Sequence, residues 1–188
     1  MRVFVALDVP EAARAALAEL SARLKKICPS ARWVHLEGVH ITLKFIGEVS
    51  PEQLERIRQA LGQLPGFDPI KLRFAGLGFF PSARRPRVFW AGVEAGPHLA
   101  ELAAAIEMKL ESSGVPPERR PFQPHLTLAR FESPERTQAL AAAVEALGTP
   151  EFGSETFKEF HLYQSVLKRS GAEYTRLVTY PVYREPSS

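Results

Sequence analysis

The sequence has very little cysteine. Cys28 is its only thiol, so an internal disulfide and an all-cysteine zinc site are both excluded. A chain with one thiol is typical of a reducing compartment, and we expect a cytoplasmic location. Long apolar runs are also missing, since none approaches the ~20 residues that a membrane helix needs. The first residues show no secretory signal pattern, which favours a soluble protein without a membrane partner.

Charge of one sign is scarce as well. The 24 Lys+Arg residues nearly balance the 21 Asp+Glu residues, and the formal net charge is +3. This weak basic bias suits a partner that carries phosphate but does not establish one. The chain lacks a Gly-rich loop followed by Lys-Ser or Lys-Thr, so nothing in it supports an ATP-dependent mechanism. Hydrophobic residues make up 45% of the chain, which is enough for a packed core and excludes a disordered protein.

Two short segments of the sequence occur twice. Arg-Val-Phe at residues 2–4 returns at residues 87–89, and His-Ile-Thr-Leu at residues 40–43 returns as His-Leu-Thr-Leu at residues 125–128. Both recurrences have the same offset of 85 residues, which indicates a tandem duplication.

The duplication predicts the domain organisation. We expect residues 1–188 to form a single bilobal domain with duplicated halves at roughly residues 1–80 and 86–160. Strands within residues 157–184 are expected to complete the sheets.

Apolar periodicity predicts a mixture of strands and helices. The expected strands are residues 2–7, 39–47, 70–74, 87–93, 125–131, 157–162 and 174–183. The expected helices are residues 10–26, 51–64, about 97–111, and a fourth that carries Leu140, Val144 and Leu147. Ser50-Pro51-Glu52 and Ser133-Pro134-Glu135 each have the composition of a helix start. The pattern favours an α+β fold of two similar, pseudo-two-fold-related lobes.

The repeated His-x-Thr motif is the strongest chemical signal. Alternate side chains of a strand share one face, so His40 and Thr42 point to one side, as do His125 and Thr127. Under a pseudo-two-fold the two faces can converge on one cleft. There a neutral imidazole can take a proton from an attacking oxygen, while a protonated imidazole gives a proton to the leaving oxygen. Threonine hydroxyls can donate to the other phosphate oxygens, so the paired motifs predict phosphoester transfer or hydrolysis.

A cation near the phosphate would strengthen such a site, and two residues are candidates. Arg130 follows Thr127 by three positions, but strict alternation turns it away unless the strand ends or bulges there. Lys44 has the parity of His40, whereas Phe45 has the parity of the core residues. No second metal ligand recurs with His-x-Thr, so neither a metal site nor a cofactor is expected.

Other polar and aromatic residues have two interpretations each. Five arginines are either a solvated surface or a nucleic-acid contact: Arg84, Arg85, Arg87, Arg119 and Arg120. Four aromatic residues either pack in the core or stack on a base: Trp33, Phe79, Phe80 and Trp90. Three histidines outside the motif are expected at the surface or in capping positions: His35, His98 and His161.

The motifs and their flanking segments resemble the 2H phosphoesterase superfamily. Within it the chain is similar to the bacterial and archaeal RNA 2′,3′-cyclic phosphodiesterases, also called 2′-5′ RNA ligases. The likeness is carried by residues 39–47 and 124–130 around the motifs. It extends to residues 2–7, 80–82, 86–88 and 162–165 and to Tyr174.

The resemblance implies a bilobal fold in which two antiparallel sheets face a central cleft, with helices outside. It also implies hydrolysis of a terminal 2′,3′-cyclic phosphate to a 2′-phosphate, with His125 activating water and His40 protonating the leaving 3′ oxygen. Thr42, Thr127 and Arg130 would hold the phosphate. The near symmetry of the site leaves open which histidine is the base and which the acid. Ligation would be the reverse reaction, with a 5′ hydroxyl in place of water.

The implied partner is an RNA end or a nucleotide that bears a 2′,3′-cyclic phosphate. Both halves of the expected site lie in one chain, so a monomer is expected. Two alternatives remain open from the sequence. One is a non-catalytic module that binds RNA ends or nucleotides, and the other is a phosphodiesterase for a small cyclic-phosphate metabolite.

Overall fold

The computed structural model describes residues 1–133 and 136–183, and these residues contain nine strands and four α-helices. The strands are β1 Arg2–Asp8, β2 Arg32–Trp33, β3 His40–Glu48, β4 Ile70–Phe80, β5 Val88–Ala95, β6 His125–Arg130, β7 Glu151–Phe157, β8 Glu159–Lys168 and β9 Gly171–Pro181. The helices are α1 Glu11–Lys25, α2 Pro51–Gly62, α3 Pro97–Glu111 and α4 Gln138–Ala146, with a short 3-10 helix at Leu36–Gly38. No helix in the described ranges is long and apolar enough to cross a membrane.

Two antiparallel sheets organise these elements. The first sheet has the strand order β3-β1-β8-β9, and the second sheet has the order β2-β6-β5-β4-β7. Each sheet combines strands from both parts of the chain, because β2 and β4 join the second sheet and β8 and β9 join the first. The predicted α+β class with two antiparallel sheets is confirmed.

Strand β1 is buried on both faces. Val3, Val5 and Leu7 belong to the main hydrophobic core. Phe4 and Ala6 point the other way and pack with Tyr163 of β8. A strand covered on both sides has a continuous apolar sequence rather than an alternating one, which explains the apolar run at residues 3–7.

The helices follow from their sequences. Leu17, Leu20 and Leu24 of α1 are all buried, as their helical spacing predicts. Helix α2 begins after Ser50, whose hydroxyl accepts a hydrogen bond from the backbone N–H of Gln53 at 3.1 Å. This is the predicted cap, and it satisfies one of the free N–H groups of the first turn.

The equivalent prediction at Ser133 falls mostly on residues that the structure does not describe. Helix α4 begins at Gln138, because Arg136 has a φ of 67°, a left-handed conformation that a right-handed helix cannot contain. Pro134 and Glu135 of the predicted helix start lie outside the described residues.

Three strand predictions need correction. Strand β4 continues to Phe80, well past the predicted end at residue 74. The predicted strand at residues 157–162 combines the end of β7 with the start of β8, which Lys158 separates. Strand β7 itself was not predicted, because only Phe152 and Phe157 of its residues are buried and its sequence does not alternate.

The structural offset between β1 and β5 differs from the sequence offset. Val5 pairs with Lys44, and Phe89 pairs with Ala129, so strand pairing relates β5 to β1 by 84 residues rather than 85. The matching Arg-Val-Phe segments are therefore shifted by one position in the sheets.

Candidate functional site

A cleft of about 590 Å³ opens where β3 of the first sheet approaches β6 of the second. Strand β3 contributes His40 and Thr42 to its lining, and β6 contributes His125, Thr127 and Arg130. The residues singled out from the sequence thus line one cavity, with one His-x-Thr motif on each sheet.

Arg130 faces the cleft because β6 contains a bulge. Thr127 and Ala129 pair with consecutive residues of β5, which leaves Leu128 as the extra residue. A bulge reverses the alternation of side chains beyond it. Leu128 and Ala129 are consequently both buried, and Arg130 lies on the same side as Thr127.

Strand β3 has a bulge at the equivalent position, and it overturns the prediction for Lys44 and Phe45. Thr42 and Lys44 pair with consecutive residues of β1, so Leu43 is the extra residue. The alternation reverses here too. Phe45 lines the cleft and is 48% exposed, whereas Lys44 is buried.

Lys44 makes a structural ion pair rather than a phosphate contact. Its Nζ donates to Glu107 Oε1 of α3 at 2.6 Å and to the carbonyl of Pro116 at 2.9 Å. These bonds attach β3 to α3 and to the loop that follows α3. Of the two candidate cations, Arg130 is the one on the cleft.

The backbone just before β6 orients the imidazole of His125. Its Nδ1 lies 2.8 Å from the carbonyl oxygen of Gln123, which can only accept a hydrogen bond, so Nδ1 carries the proton. The ring of Phe80 contacts the imidazole edge at a centroid distance of 5.3 Å. In the neutral ring Nε2 is then a free acceptor, which is the form that a general base requires.

His40 is more enclosed than His125. The rings of Tyr163, Tyr174 and Phe4 surround it at centroid distances of 4.4, 5.3 and 5.7 Å. This burial lowers the pKa of His40, and the Asp8 carboxylate, 3.8 Å from Nε2, opposes the shift. A phosphate bound in the cleft would add a second negative charge and so favour the protonated ring.

His161 was expected at the surface, but it is buried. Its Nε2 lies 3.5 Å from Asp8 Oδ2, and its Nδ1 is 3.0 Å from the hydroxyl of Thr179. Desolvation lowers the pKa of His161, and Arg176 lowers it further against the opposing charges of Asp8 and Glu159.

From these two largely enclosed imidazoles we predict that acid destabilises the protein. His40 and His161 both have a pKa below the value of about 6.5 that the unfolded chain has. Between the folded and unfolded pKa values the unfolded state binds more protons, so the free energy of unfolding falls as the pH falls. Urea unfolding at about pH 7.5 and about pH 5.5 measures this loss of unfolding free energy.

The variant His161→Gln is expected to have a shallower pH dependence of the unfolding free energy. His35→Gln is the matched control, because His35 is exposed and its removal should leave the slope unchanged. An identical slope in His161→Gln and the unsubstituted protein would contradict the prediction.

The rim of the cleft carries an aromatic surface that sequence reasoning missed. The Arg2 guanidinium lies 5.0 Å from the centre of the Phe45 ring. Tyr174, 39% exposed, also lines the cleft. Only the bulge in β3 shows that the Phe45 side chain points into the cleft, since strict alternation assigns it to the core.

The other candidates lie elsewhere. All of the arginines with two interpretations are exposed, and none is among the described residues that line the cleft. Trp33 donates to the carbonyl of Cys28 at 2.9 Å. Phe79 packs on Phe89, and Trp90 packs on Phe80. These contacts are structural, and Phe80 also supports His125.

Histidines His35 and His98 lie at the surface as expected. His35 is exposed, and His98 contacts Asp68 and Glu101. Within the described residues no cluster of three or more His, Cys, Asp or Glu side chains has the arrangement of a metal site. Two imidazoles, two hydroxyls and a guanidinium can instead hold a phosphate between a proton acceptor and a proton donor.

Comparison with known proteins gives a consistent family. The sequence profile described as "LigT like Phosphoesterase" matches residues 7–90 and again residues 92–174. A protein of Methanothermobacter thermautotrophicus named RNA 2′,3′-cyclic phosphodiesterase is 34% identical over 176 residues, which cover 93% of this chain and 95% of the relative.

Solved structures show the same similarity. A Thermus thermophilus protein, TT0787, superposes with a TM-score of 0.77 at 31% identity, over 97% of this chain and 98% of that one. Escherichia coli LigT in complex with 3′-AMP superposes with a TM-score of 0.76 at 29% identity, with the same coverage of both chains.

Proposed function

The chain belongs to the LigT-like phosphoesterase family, and from this we propose that it is an RNA 2′,3′-cyclic phosphodiesterase that hydrolyses terminal 2′,3′-cyclic phosphate to 2′-phosphate. The observation that carries the proposal is the convergence of both His-x-Thr motifs and Arg130 on one cleft. The names of its relatives support the same activity.

His125 is the general base in this proposal, and His40 is the general acid. His125 Nε2 takes a proton from water, and the water oxygen forms a bond to phosphorus. The bond from phosphorus to O3′ breaks, and His40 gives its proton to O3′. The assignment is supported by Asp8, whose negative charge lies beside His40 and favours its protonated form.

Thr42, Thr127 and Arg130 hold the non-bridging oxygens of the phosphate. Hydroxyl groups and a guanidinium fixed before the substrate binds stabilise the charge that develops on these oxygens in the transition state. The protein's own groups supply the proton transfers and the charge, so the proposed reaction needs no metal or cofactor.

The substrate is an RNA end or nucleotide with a 2′,3′-cyclic phosphate. LigT accommodates 3′-AMP in a solved complex, and the exposed ring of Phe45 offers a face on which a terminal base can stack. One chain supplies both His-x-Thr motifs, so a monomer is sufficient for activity.

Ligation is the same attack on phosphorus with a different nucleophile. The cyclic phosphate keeps the energy of its ester bond, and a 5′ hydroxyl can attack phosphorus in place of water. The bond to O3′ again breaks, and a 2′-5′ linkage forms without ATP. Hydrolysis dominates in dilute RNA because water is in large excess over 5′ hydroxyl groups.

The test is an assay of the purified protein in excess EDTA with an end-labelled oligoribonucleotide that ends in a 2′,3′-cyclic phosphate. We expect a product that comigrates with a synthetic 2′-phosphate standard and not with the 3′-phosphate. Saturable binding without product would favour the non-catalytic module. Turnover of small cyclic phosphates but not of RNA ends would favour a metabolite substrate, and loss of activity in EDTA would contradict the metal-independent mechanism.

A further inference from the structure

Asp8 is the centre of a polar cluster beside the cleft. It is the last residue of β1, and it pairs directly with His40 of β3. Its carboxylate accepts hydrogen bonds from the Tyr163 hydroxyl and from Arg176 Nη2. The same carboxylate lies 3.5 Å from His161 Nε2 and 3.8 Å from His40 Nε2.

The two histidines of the cleft differ in the residue that pairs with each of them across the sheet. The residue that pairs with His40 across the sheet is Asp8, whereas the residue that pairs with His125 is Gly92, which has no side chain. His125 is instead held by a neutral backbone carbonyl. Among the described residues, the carboxylate of Asp8 therefore breaks the pseudo-symmetry of the site in favour of His40.

We propose that Asp8 is a positioning residue that keeps the proton on His40 until O3′ leaves, and that Tyr163 and Arg176 fix its carboxylate in place. The proposal rests on the proposed function, because it assigns the role of acid to His40. It adds a residue that does not touch the reacting atoms and acts only through His40.

The contacts of the carboxylate support this role. Tyr163 binds Oδ1 and Arg176 binds Oδ2, so both oxygens are fixed by groups from the first sheet. The tilted ring of Tyr163 also packs against His40 with a centroid distance of 4.4 Å, and one side chain thus orients both partners. A carboxylate within 4–6 Å of an imidazole favours the imidazolium.

The other charges around His40 favour the neutral ring. Arg14 of α1 and His161 of β8 both oppose its protonation, and burial among aromatic rings does the same. Asp8 is the negative group that faces it among the described residues. Without Asp8, only a backbone hydrogen bond to Gly38 would favour the protonated form of His40, and the other groups around the ring would oppose it.

The test compares Asp8→Asn with the unsubstituted protein by two measurements. The first is the titration of the His40 ring by NMR, with its signal assigned from its loss in His40→Gln. We expect the His40 midpoint to fall by about one pH unit. The second is the pH profile of kcat/KM, in which the alkaline limb should move down by the same amount. Activity near pH 8 then falls about tenfold, and the loss becomes smaller as the pH falls through the two His40 midpoints.

Three further variants make the result specific. Asp8→Glu keeps the charge and should restore most of the alkaline limb. Glu37→Gln removes the negative charge of an exposed residue of the 3-10 helix and should change neither measurement. Asp8→Ser is expected to give the same shift as Asp8→Asn and replaces it if that variant does not fold.

The outcomes separate this proposal from the proposed function. An unchanged His40 titration in Asp8→Asn overturns the role of Asp8, and so does an equal loss of activity at every pH. Lack of activity in the unsubstituted protein would overturn the proposed function, and the NMR titration would still decide whether Asp8 holds the proton on His40.

Discussion

His40→Ala and His125→Ala are each expected to lower kcat for hydrolysis of a 2′,3′-cyclic phosphate by about 10²–10⁴-fold, the usual contribution of one general acid or base. In the proposed mechanism water loses its proton to one ring while O3′ gains a proton from the other. Loss of either ring leaves one of these transfers to solvent. Steady-state kinetics with a cyclic-phosphate oligonucleotide measures the effect on kcat and KM separately.

The effects of the two substitutions on kcat should not be additive. Groups that act on one transition state lose most of their joint contribution when either is removed. The double variant is therefore expected to resemble the worse single variant. KM should change little, because Thr42, Thr127 and Arg130 still hold the phosphate.

His98→Ala is the matched control for this prediction. His98 lies at the start of α3 with its side chain 40% exposed, and it does not line the cleft. Its activity should stay within about twofold of the unsubstituted protein, as is usual for a surface substitution. A cleft variant that folds normally and keeps more than about a tenth of the activity would contradict acid–base catalysis by that ring.

The strand face on which each His-x-Thr pair lies could be predicted from the sequence, because backbone geometry fixes the period of a strand. His40 and Thr42 lie on one face for that reason, and so do His125 and Thr127. The predicted pairing of two such faces also depends on the internal repeat. A repeated motif makes a single convergent site a natural expectation.

The prediction failed where pairing between strands decides the side-chain direction. The bulge at Leu43 turns Lys44 into the core and Phe45 into the cleft. The alternation of residues in β3 contains no sign of it, since the extra residue exists only relative to β1. The equivalent bulge in β6 was predicted as a condition for Arg130 to reach the cleft, and the structure satisfies that condition.

The cluster around Asp8 could not be predicted for a related reason. Tyr163 lies 155 residues from Asp8 along the chain, and Arg176 lies 168 residues away. Strand β8 reaches β1 only because the second half of the chain places a strand in the first sheet. Side-chain networks that depend on such an exchange leave no local pattern in the sequence.

The second large effect is expected at Arg130. Arg130→Ala should lower kcat by about 10²–10³-fold, the usual cost of removing one preorganised donor to a developing negative charge. A guanidinium can bind two phosphate oxygens at once, whereas an ammonium is a point charge. Arg130→Lys should therefore recover only part of the lost activity. Steady-state kinetics, with inorganic phosphate as a competitive inhibitor, measures both catalysis and phosphate affinity.

The control for Arg130 separates a local contact from net charge. Arg119→Ala removes the same charge from an exposed position outside the cleft lining, and both variants reduce the net charge of +3 by one. If general attraction for RNA explained the loss, the two variants would lose activity equally and about 0.5 M salt would remove the difference from the unsubstituted protein. A direct phosphate contact predicts instead that Arg119→Ala is nearly unaffected. It also predicts that the deficit of Arg130→Ala persists on a cyclic mononucleotide, which offers a single phosphate and no further backbone to attract.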